Sequence, residues 1–228
     1  MKLAALTSGG KDSLFAAYIM HSQGFEIRYL VTLHPASDES YMFHVPNLWI
    51  TGLQALAMEV PILMRGTSGE KEREVEDLKA VLESVEGEIE GVVTGAVASE
   101  YQKQRVDMVC EDLGIPSFAP LWHKDPEMLL REIMDAGFEV IVTSVAAEGL
   151  DKSWLGRSIN EDTLEALKTL GEKYGLHVAG EGGEYETLVL DMPLFKHSFA
   201  VTNAEAHWHT TYGVYEVKDV ETVPKVMA

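Results

Sequence analysis

The sequence predicts an α/β protein: a doubly wound parallel sheet with helices on both faces, followed by a smaller α+β domain. Two observations carry this prediction. Strand-like and helix-like segments alternate through the first half of the chain, and mainly strand-like segments joined by turns follow Gly175. We therefore expect one domain over residues 1–120 and a second over residues 121–228.

The elements of the first domain follow from apolar periodicity. Short apolar runs predict buried strands, and apolar residues three or four positions apart predict helices that cover them. The expected strands are residues 3–6, 27–33, 61–63 and 91–94. The expected helices are residues 14–20, 48–58 with Asn47 as N-cap, 70–85, and a helix through Val106, Val109, Cys110 and Leu113 that ends before Gly114.

The second domain is expected to begin with helices and to end with strands. Asp125 and Pro126 form a typical helix start, and that helix is expected to reach Gly137. The later expected elements are a strand at residues 139–145, a helix at residues 160–174, and strands at residues 188–191, 199–202 and 212–217.

Composition and charge restrict the class of function. The 228 residues include 18 basic and 37 acidic side chains, a formal net charge of −19, so the overall field opposes direct binding of nucleic acid. No apolar run approaches the ~20 residues of a membrane span, and Lys2 leads directly into the first strand. We therefore expect a cytoplasmic protein with no signal peptide and no membrane partner. The one cysteine, Cys110, permits neither a disulfide nor a two-thiol relay.

The loop after the first strand has the features of a phosphate-binding site. It turns through two glycines into a helix, so that backbone N–H groups and the positive end of the helix dipole face one point. Its lysine is followed by aspartate and lacks the glycine spacing of the P-loop nucleotide hydrolases. A turn that only caps the helix is the alternative. The candidate nucleotide-binding residues are Ser8, Gly9, Gly10, Lys11, Asp12 and Ser13, and Asp12 is also a candidate Mg²⁺ ligand.

Two further segments carry aromatic and cationic side chains. Tyr101 and Arg105 are four residues apart, on one face of a predicted helix that starts near the nucleotide pocket, where an arginine can bind carboxylate or phosphate. Trp154 and Arg157 lie in a loop of the kind that often carries functional residues. A solvated helix face and ordinary packing are the respective alternatives.

A glycine-rich acidic segment is the strongest second signal. In an extended chain Glu184 and Glu186 project from the same side, and two adjacent carboxylates repel each other unless a cation or a proton intervenes. Mg²⁺ or a cationic substrate would satisfy both. A glycine turn with exposed acids is the alternative.

Together these segments resemble the diphthine–ammonia ligase family of N-type ATP pyrophosphatases, which have a Rossmann-like (HUP, or adenine nucleotide alpha hydrolase-like) fold. Val45 departs from the threonine of the family pattern, and the compact length resembles that of archaeal members. The resemblance covers about residues 1–195 and rests on Ser8–Ser13, Tyr41–His44, Leu53–Ala55, Gly95–Val106, Gly114–Pro116, Ala119–Trp122, Gly149–Arg157, Gly180–Thr187 and Asp191–Phe195.

The resemblance implies ATP-dependent amidation of diphthine, a trimethylated histidine derivative on translation elongation factor two. The diphthine carboxylate attacks the α-phosphate of ATP, pyrophosphate leaves, and ammonia then displaces AMP from the acyl-adenylate. The implied cofactors are ATP and Mg²⁺, and the elongation factor is the implied partner. The implied catalytic residues are Lys11, Asp12, Glu184 and Glu186.

The resemblance also implies further binding residues. His44, which can equally be a structural histidine, and Gly95 are expected to bind nucleotide beside the phosphate loop. The expected substrate-binding residues are Ser99, Tyr101, Gln102, Arg105, Trp154, Arg157, Glu181, Gly182, Gly183, Glu184, Tyr185 and Glu186. In the sharpest form of this prediction, the two glutamates and the ring of Tyr185, Trp154 or Tyr101 recognise the trimethylammonium group of diphthine.

Free ammonia is the expected nitrogen donor. Release of ammonia from glutamine would need an activated cysteine, and Cys110 lies on the apolar stripe of a predicted helix. Two other functions stay open: an amide-forming ligase of the same superfamily that acts on a small metabolite, and a non-enzymatic ATP-binding protein of the universal-stress type.

His207 and His209 are expected to form a surface pair, because no third metal ligand is near in sequence. The sequence does not fix the oligomeric state, and a homo-oligomer is compatible with it.

Overall fold

The first half of the chain alternates strands and helices. The structure is a computed structural model that describes residues 1–35, 47–67 and 71–225, and it divides into two units, Met1–Trp122 and His123–Ala228. The strands of the first unit are β1 (Lys2–Leu6), β2 (Glu26–Pro35), β3 (Ile62–Thr67), β4 (Gly91–Val93) and β5 (Ser117–Phe118). Its helices are α1 (Lys11–Ser22), α2 (Ile50–Met58), α3 (Lys71–Glu83) and α4 (Glu100–Asp112).

The five strands of this unit form one parallel sheet in the order β3-β2-β1-β4-β5. The chain runs outward from β1 to β3 and then returns to the other side of β1 with β4. Strand order therefore reverses between β1 and β4, and ligands of such sheets bind at the carboxyl ends of the strands beside this reversal. The doubly wound, Rossmann-like α/β fold predicted from the sequence is confirmed, and the candidate phosphate loop leaves β1 at the reversal.

The apolar stripes predicted on α3 and α4 lie in the core of this unit. Leu78 and Leu82 of α3 are buried in one cluster with Val109 and Cys110 of α4 and with residues of β1, β2 and β4. Gly114, just after α4, has a φ of 66°, a conformation that glycine adopts without strain. The predicted end of α4 is therefore confirmed.

Two local expectations for the first unit differ from the structure. Asn47 has a left-handed φ of 78°, and its carbonyl accepts a hydrogen bond from the Ile50 N–H at 2.9 Å, so α2 begins at Ile50 without Asn47 as its N-cap. Strand β5 was not predicted. It has two half-buried residues, which is too short a segment to show a periodicity.

The second unit contains helices α5 (Pro126–Asp135) and α6 (Glu161–Tyr174) and an antiparallel sheet. Its strands are β6 (Glu139–Val145), β7 (Tyr185–Asp191), β8 (His197–Trp208) and β9 (Gly213–Pro224), in the order β7-β6-β9-β8. The Asp125 and Asn160 side chains cap α5 and α6 by accepting backbone N–H groups, each at 2.9 Å. The predicted α+β character of this region is confirmed.

Strands β8 and β9 are longer than predicted. Each has 12 residues, and they pair from His197 opposite Pro224 to Trp208 opposite Gly213. Half of the residues in each strand are exposed, and the outer parts of both strands lack the apolar alternation that marks a half-buried strand. Among the residues described here, no helix is both long and apolar enough to span a membrane.

Candidate active site

Hydrogen bonds within the loop between β1 and α1 fix its backbone. The Ser13 hydroxyl donates to the Gly10 carbonyl at 3.1 Å, so its single proton is used, and the Thr7 hydroxyl must be the donor in the 3.1 Å contact with Ser13 Oγ. Thr7 Oγ1 in turn accepts the Gly9 N–H at 2.9 Å. Ser13 therefore holds the loop in shape, whereas the exposed Ser8 can offer its hydroxyl to a ligand.

The start of α1 has no side-chain cap. Its N-cap residue is Gly10, whereas α4, α5 and α6 each begin with a side chain that accepts a backbone N–H. The first N–H groups of a helix have no partner inside the helix and carry the positive end of its dipole. An anion is the ligand that this helix start can bind.

Two glycines allow the loop to pack closely against its surroundings. Gly9 has a φ of 83°, and a Cβ there would lie 2.8 Å from Oε1 of Gln54. A Cβ on Gly95, after β4, would lie 2.5 Å from the backbone nitrogen of Ser13. Gly95 was predicted as a nucleotide-binding residue, and the structure places it against the backbone at the start of α1.

Lys11 and Asp12 form an ion pair at the start of α1. The Lys11 ammonium is 2.8 Å from Asp12 Oδ2, Lys11 is only 3% exposed, and the Asp12 carboxylate is partly exposed. A buried cation such as Lys11 needs a nearby negative charge, and Asp12 supplies it at the helix end that favours anions. The arrangement can hold a phosphate group through Lys11 and a divalent cation through Asp12.

Residues of β2 and α2 contact the loop between β1 and α1, in agreement with the fold. The Thr32 hydroxyl of β2 donates to the Thr7 carbonyl at 2.9 Å, and the Thr7 N–H donates to the Val31 carbonyl at 2.8 Å. Gln54 of α2 also reaches the loop, because its Nε2 donates to the Gly9 carbonyl at 3.1 Å. Sequence reasoning assigned Gln54 no role, since 45 residues separate it from Gly9. His44 lies outside the residues that the structure describes.

The start of α4 places four predicted substrate-binding residues on one helix. Ser99 is the N-cap and accepts the Gln102 N–H at 3.3 Å, while the side chain of Gln102 is exposed. The Arg105 guanidinium carbon lies 3.3 Å from the ring centre of Tyr101, which is 41% exposed. The expected shared face of Tyr101 and Arg105 is confirmed, and the ring orients the guanidinium by stacking.

In the second unit, Trp154 is buried in packing. Arg157 lies over its ring, with the guanidinium carbon 4.5 Å from the ring centre, and donates from Nε to the Thr163 hydroxyl at 3.0 Å. The buried ring is not presented to a substrate. This corrects the expectation that Trp154 offers an aromatic face to a ligand, because burial of its large apolar surface stabilises the fold instead.

The glycine-rich acidic segment, residues 180–187, contains a loop that one of its own glutamates holds; we call it the acidic loop. Strand β7 begins at Tyr185, so Glu184 lies before the extended segment. Oε1 of Glu184 accepts the His177 N–H at 2.9 Å, and Oε2 accepts the Gly182 N–H at 2.8 Å. Glu186 is exposed on β7 opposite Ser144. Extended geometry therefore applies to Glu186, while Glu184 folds back to fix the loop.

The other predicted substrate-binding residues of this loop contact its own backbone or lie at its turns. Gly183 has a φ of 80° and is exposed, and Glu181 donates its N–H to His177 Nδ1 at 3.3 Å. Tyr185 is buried, and its hydroxyl donates to the Val178 carbonyl at 2.8 Å. The ring of Tyr185 is thus not exposed to a substrate. Of the three aromatic residues predicted for the substrate cation, Tyr101 is the exposed one.

The two histidines of the hairpin do not form a pair. His207 Nε2 lies 3.3 Å from both Glu205 Oε2 and Glu216 Oε2. His209 instead stacks on Tyr212, with ring centres 4.4 Å apart. Both histidines lie on the surface, as expected, but they do not share a strand face, because β8 ends at Trp208. Glu205 lies two residues earlier on the same strand face, whereas Glu216 comes from β9, which sequence spacing could not reveal.

Cys110 has the environment of a structural thiol. It is 1% exposed, and burial raises its pKa to about 11. A thiol with a raised pKa is a poor nucleophile at neutral pH, because the thiolate is the reactive form. No other cysteine occurs in the sequence.

Comparisons with known proteins identify the family. Residues 1–117 match the family described as diphthamide synthase N-terminal domain, and residues 125–223 match the family described as diphthamide synthase C-terminal domain. A rat protein named diphthine–ammonia ligase is 42% identical over 92% of this chain and 86% of its own length. The human protein of that name is 39% identical over the same shares.

Longer and more distant relatives also match. The fission yeast (Schizosaccharomyces pombe) protein named diphthine–ammonia ligase is 38% identical over 96% of this chain, which corresponds to 39% of its own length. A solved structure described as a predicted subunit of tRNA methyltransferase from Methanocaldococcus jannaschii covers 85% of this chain and 98% of its own, at 17% identity and a TM-score of 0.47. That likeness is too weak to indicate a function.

Proposed function

This chain belongs to the diphthamide synthase family, and we propose on that premise that it catalyses the ATP-dependent amidation of diphthine on translation elongation factor two. Ammonia is the nitrogen donor, and AMP and pyrophosphate are the other products. The observation that carries the proposal is the loop between β1 and α1, where an uncapped helix start, a left-handed Gly9 and the buried Lys11 form a cradle for a phosphate anion.

The phosphate loop stabilises the departing pyrophosphate. The N–H groups at the start of α1 and the Lys11 ammonium carry positive charge that is fixed before the reaction starts. Groups placed in advance where negative charge develops lower the barrier most, because they need not reorganise during the step. Lys11 is held in place by Asp12, and a phosphate oxygen would provide a second negative partner.

Asp12 is the proposed Mg²⁺ ligand. Its carboxylate is partly exposed beside the helix start, and carboxylate oxygens are ligands that Mg²⁺ prefers. The ion would supply charge neutralisation between phosphate oxygens. A cation bound at Asp12 would also weaken the attraction between Asp12 and Lys11. The Lys11 side chain would then pair more readily with a phosphate oxygen.

The acidic loop of the second unit is proposed to recognise the substrate. Diphthine carries a fixed positive charge that cannot donate a hydrogen bond, so carboxylates and aromatic faces are the groups that recognise it. Glu186 supplies an exposed carboxylate, and Glu184 holds the loop that precedes it. In the first unit, the exposed Tyr101 and the stacked Arg105 are proposed to bind substrate on the aromatic face and through the guanidinium.

Free ammonia is the proposed nitrogen donor. Cys110, the only cysteine of this sequence, is buried and protonated at neutral pH, so it cannot attack glutamine. Ammonium salts should therefore support the reaction and glutamine should not. Efficient use of glutamine by the purified protein would contradict this assignment.

The function is tested by supplying the complete set of reactants. Purified protein is incubated with ATP, Mg²⁺, ammonium and elongation factor two that carries diphthine, while AMP release and the mass of the modified histidine are followed. The matched control is elongation factor two with unmodified histidine, for which no AMP should form. AMP release that does not depend on diphthine would favour a small-molecule ligase. Bound ATP without pyrophosphate release in the complete mixture would favour an ATP-binding protein without catalysis.

A further inference from the structure

Gln54 holds the phosphate loop from outside the loop itself. This residue of α2 has no exposed surface, and its Nε2 donates to the carbonyl of Gly9 at 3.1 Å. A buried amide N–H needs a hydrogen-bond acceptor, and Nε2 of Gln54 has one in the peptide that joins the two loop glycines. The contact therefore acts on the backbone at the centre of the phosphate site.

The peptide between Gly9 and Gly10 has a defined direction. It is trans, as are all described peptides, so its carbonyl and its N–H point in opposite directions. Because the carbonyl faces Gln54, the Gly10 N–H faces away from α2. The Gly9 N–H is bonded to Thr7, and the Gly10 carbonyl accepts from Ser13. Of the two glycine N–H groups, the Gly10 N–H is thus the one directed away from the hydrogen bonds that hold the loop.

This direction needs a restraint because glycines flank the peptide on both sides. Its orientation is set by ψ of Gly9 and φ of Gly10, and glycine adopts either orientation at little cost. If the peptide turned over, a carbonyl oxygen would replace the N–H and would repel a phosphate. We propose, building on the function proposed above, that Gln54 is a positioning residue that aims the Gly10 N–H at the pyrophosphoryl group of ATP.

Substitution of Gln54 tests this role. Gln54→Met keeps the length of the side chain and removes the donor, so the Gly9 carbonyl loses its restraint. Pyrophosphate affinity, measured by calorimetry with pyrophosphate alone, should fall about tenfold to a hundredfold, the range for a lost hydrogen bond to a charged group. The rate of AMP formation at saturating ATP should fall as well.

Thr51→Val is the matched control. Thr51 lies one turn earlier in α2, is equally buried, and donates from its hydroxyl to the Leu48 carbonyl at 2.7 Å. The control therefore loses one partly buried hydrogen bond of the same helix and keeps the bond to Gly9. It should retain wild-type pyrophosphate affinity. Equal loss in both variants, or unchanged affinity in folded Gln54→Met, would overturn the proposal.

Amide NMR of the ¹⁵N-labelled wild-type protein provides a second test that needs no variant. On titration with pyrophosphate, the Gly10 amide proton should shift downfield and the Gly9 amide, which is bonded to Thr7, should move little. A large shift at Gly9 with none at Gly10 would overturn the role of Gln54 while leaving the phosphate site intact. If wild-type protein bound neither ATP nor pyrophosphate, the proposed function itself would fail.

Discussion

Replacing Gly95 by alanine tests whether close packing of the two strand-end loops shapes the phosphate site. The added Cβ would lie 2.5 Å from the Ser13 nitrogen, 2.6 Å from the Asp12 carbonyl carbon and 2.7 Å from the Ser13 Cα. All three are backbone atoms, so no side-chain rotation can relieve the overlap. Ordinary contact begins at 3.4 Å, so the start of α1 and the segment after β4 must separate by most of the difference between 2.5 and 3.4 Å.

The size of both effects follows from this displacement. Overpacking of a well-packed site costs about 1–3 kcal/mol, which should appear as a lower free energy of unfolding in denaturant. A shift of about 1 Å in groups that position reactants can cost about 10²-fold in rate. Folded Gly95→Ala should therefore release AMP about 10²-fold more slowly than wild type, in the assay with ammonium and diphthine-containing elongation factor two.

Gly52→Ala provides the matched control. Gly52 lies within α2, and a Cβ there would meet no atom within 4 Å. Alanine is the better helix former, so this variant should be more stable by up to about 1 kcal/mol and equally active. Wild-type AMP formation by folded Gly95→Ala would refute the reasoning, since the loops would then tolerate separation.

Three further predictions concern charge and burial. Lys11→Ala and Asp12→Ala should each slow AMP formation by about 10²-fold or more, because each removes a charge that acts on the departing pyrophosphate; near-normal turnover in either folded variant would contradict the assignment. Cys110→Ala should keep ammonium-dependent activity. The thiol of the unfolded chain loses its proton near pH 9.0, whereas burial raises the pKa of Cys110 in the folded protein to about 11. The free energy of unfolding of the wild type should therefore fall more steeply between these two pH values than that of Cys110→Ala. Glu184→Gln should lower the free energy of unfolding by about 1–3 kcal/mol through a lost charged hydrogen bond, and Glu186→Gln should weaken binding of the modified factor. If Glu186→Gln lowered only ATP-Mg²⁺ affinity, its substrate role would be excluded.

The features that the sequence predicts well are local in the chain. The turn from β1 into α1 is determined by neighbouring residues, so its glycines, Lys11 and Asp12 could be recognised together. The same holds for the helix start at Asp125, whose side chain accepts an N–H three residues later. Residue type also predicted β6 with its observed bounds, Glu139–Val145, because the β-branched residues that favour a strand are adjacent in the chain.

The features that sequence reasoning missed depend on contacts between distant segments. Gln54 reads as part of an apolar helix, and only the fold brings it to Gly9. The burial of Trp154 and Tyr185 was likewise not predictable, since an aromatic residue in a glycine-rich loop can equally face solvent or the core. Glu184 was misjudged for a related reason: an extended chain was assumed where the backbone turns.

The hairpin group around His207 shows why proximity of ligand types does not by itself make a metal site. Within the described part of the chain, Glu205, His207 and Glu216 bring one ligand atom each to within 4.8 Å of one another. Lys218 already lies among them, with its ammonium 2.6 Å from Glu216 Oε1 and 3.7 Å from Glu205 Oε2. The two carboxylates thus have a cation from the protein itself, which a metal ion would first have to displace. Since the group is also largely exposed, solvent screens the attraction that could repay that displacement. The arrangement is accounted for as cross-strand ion pairing that holds β8 to β9.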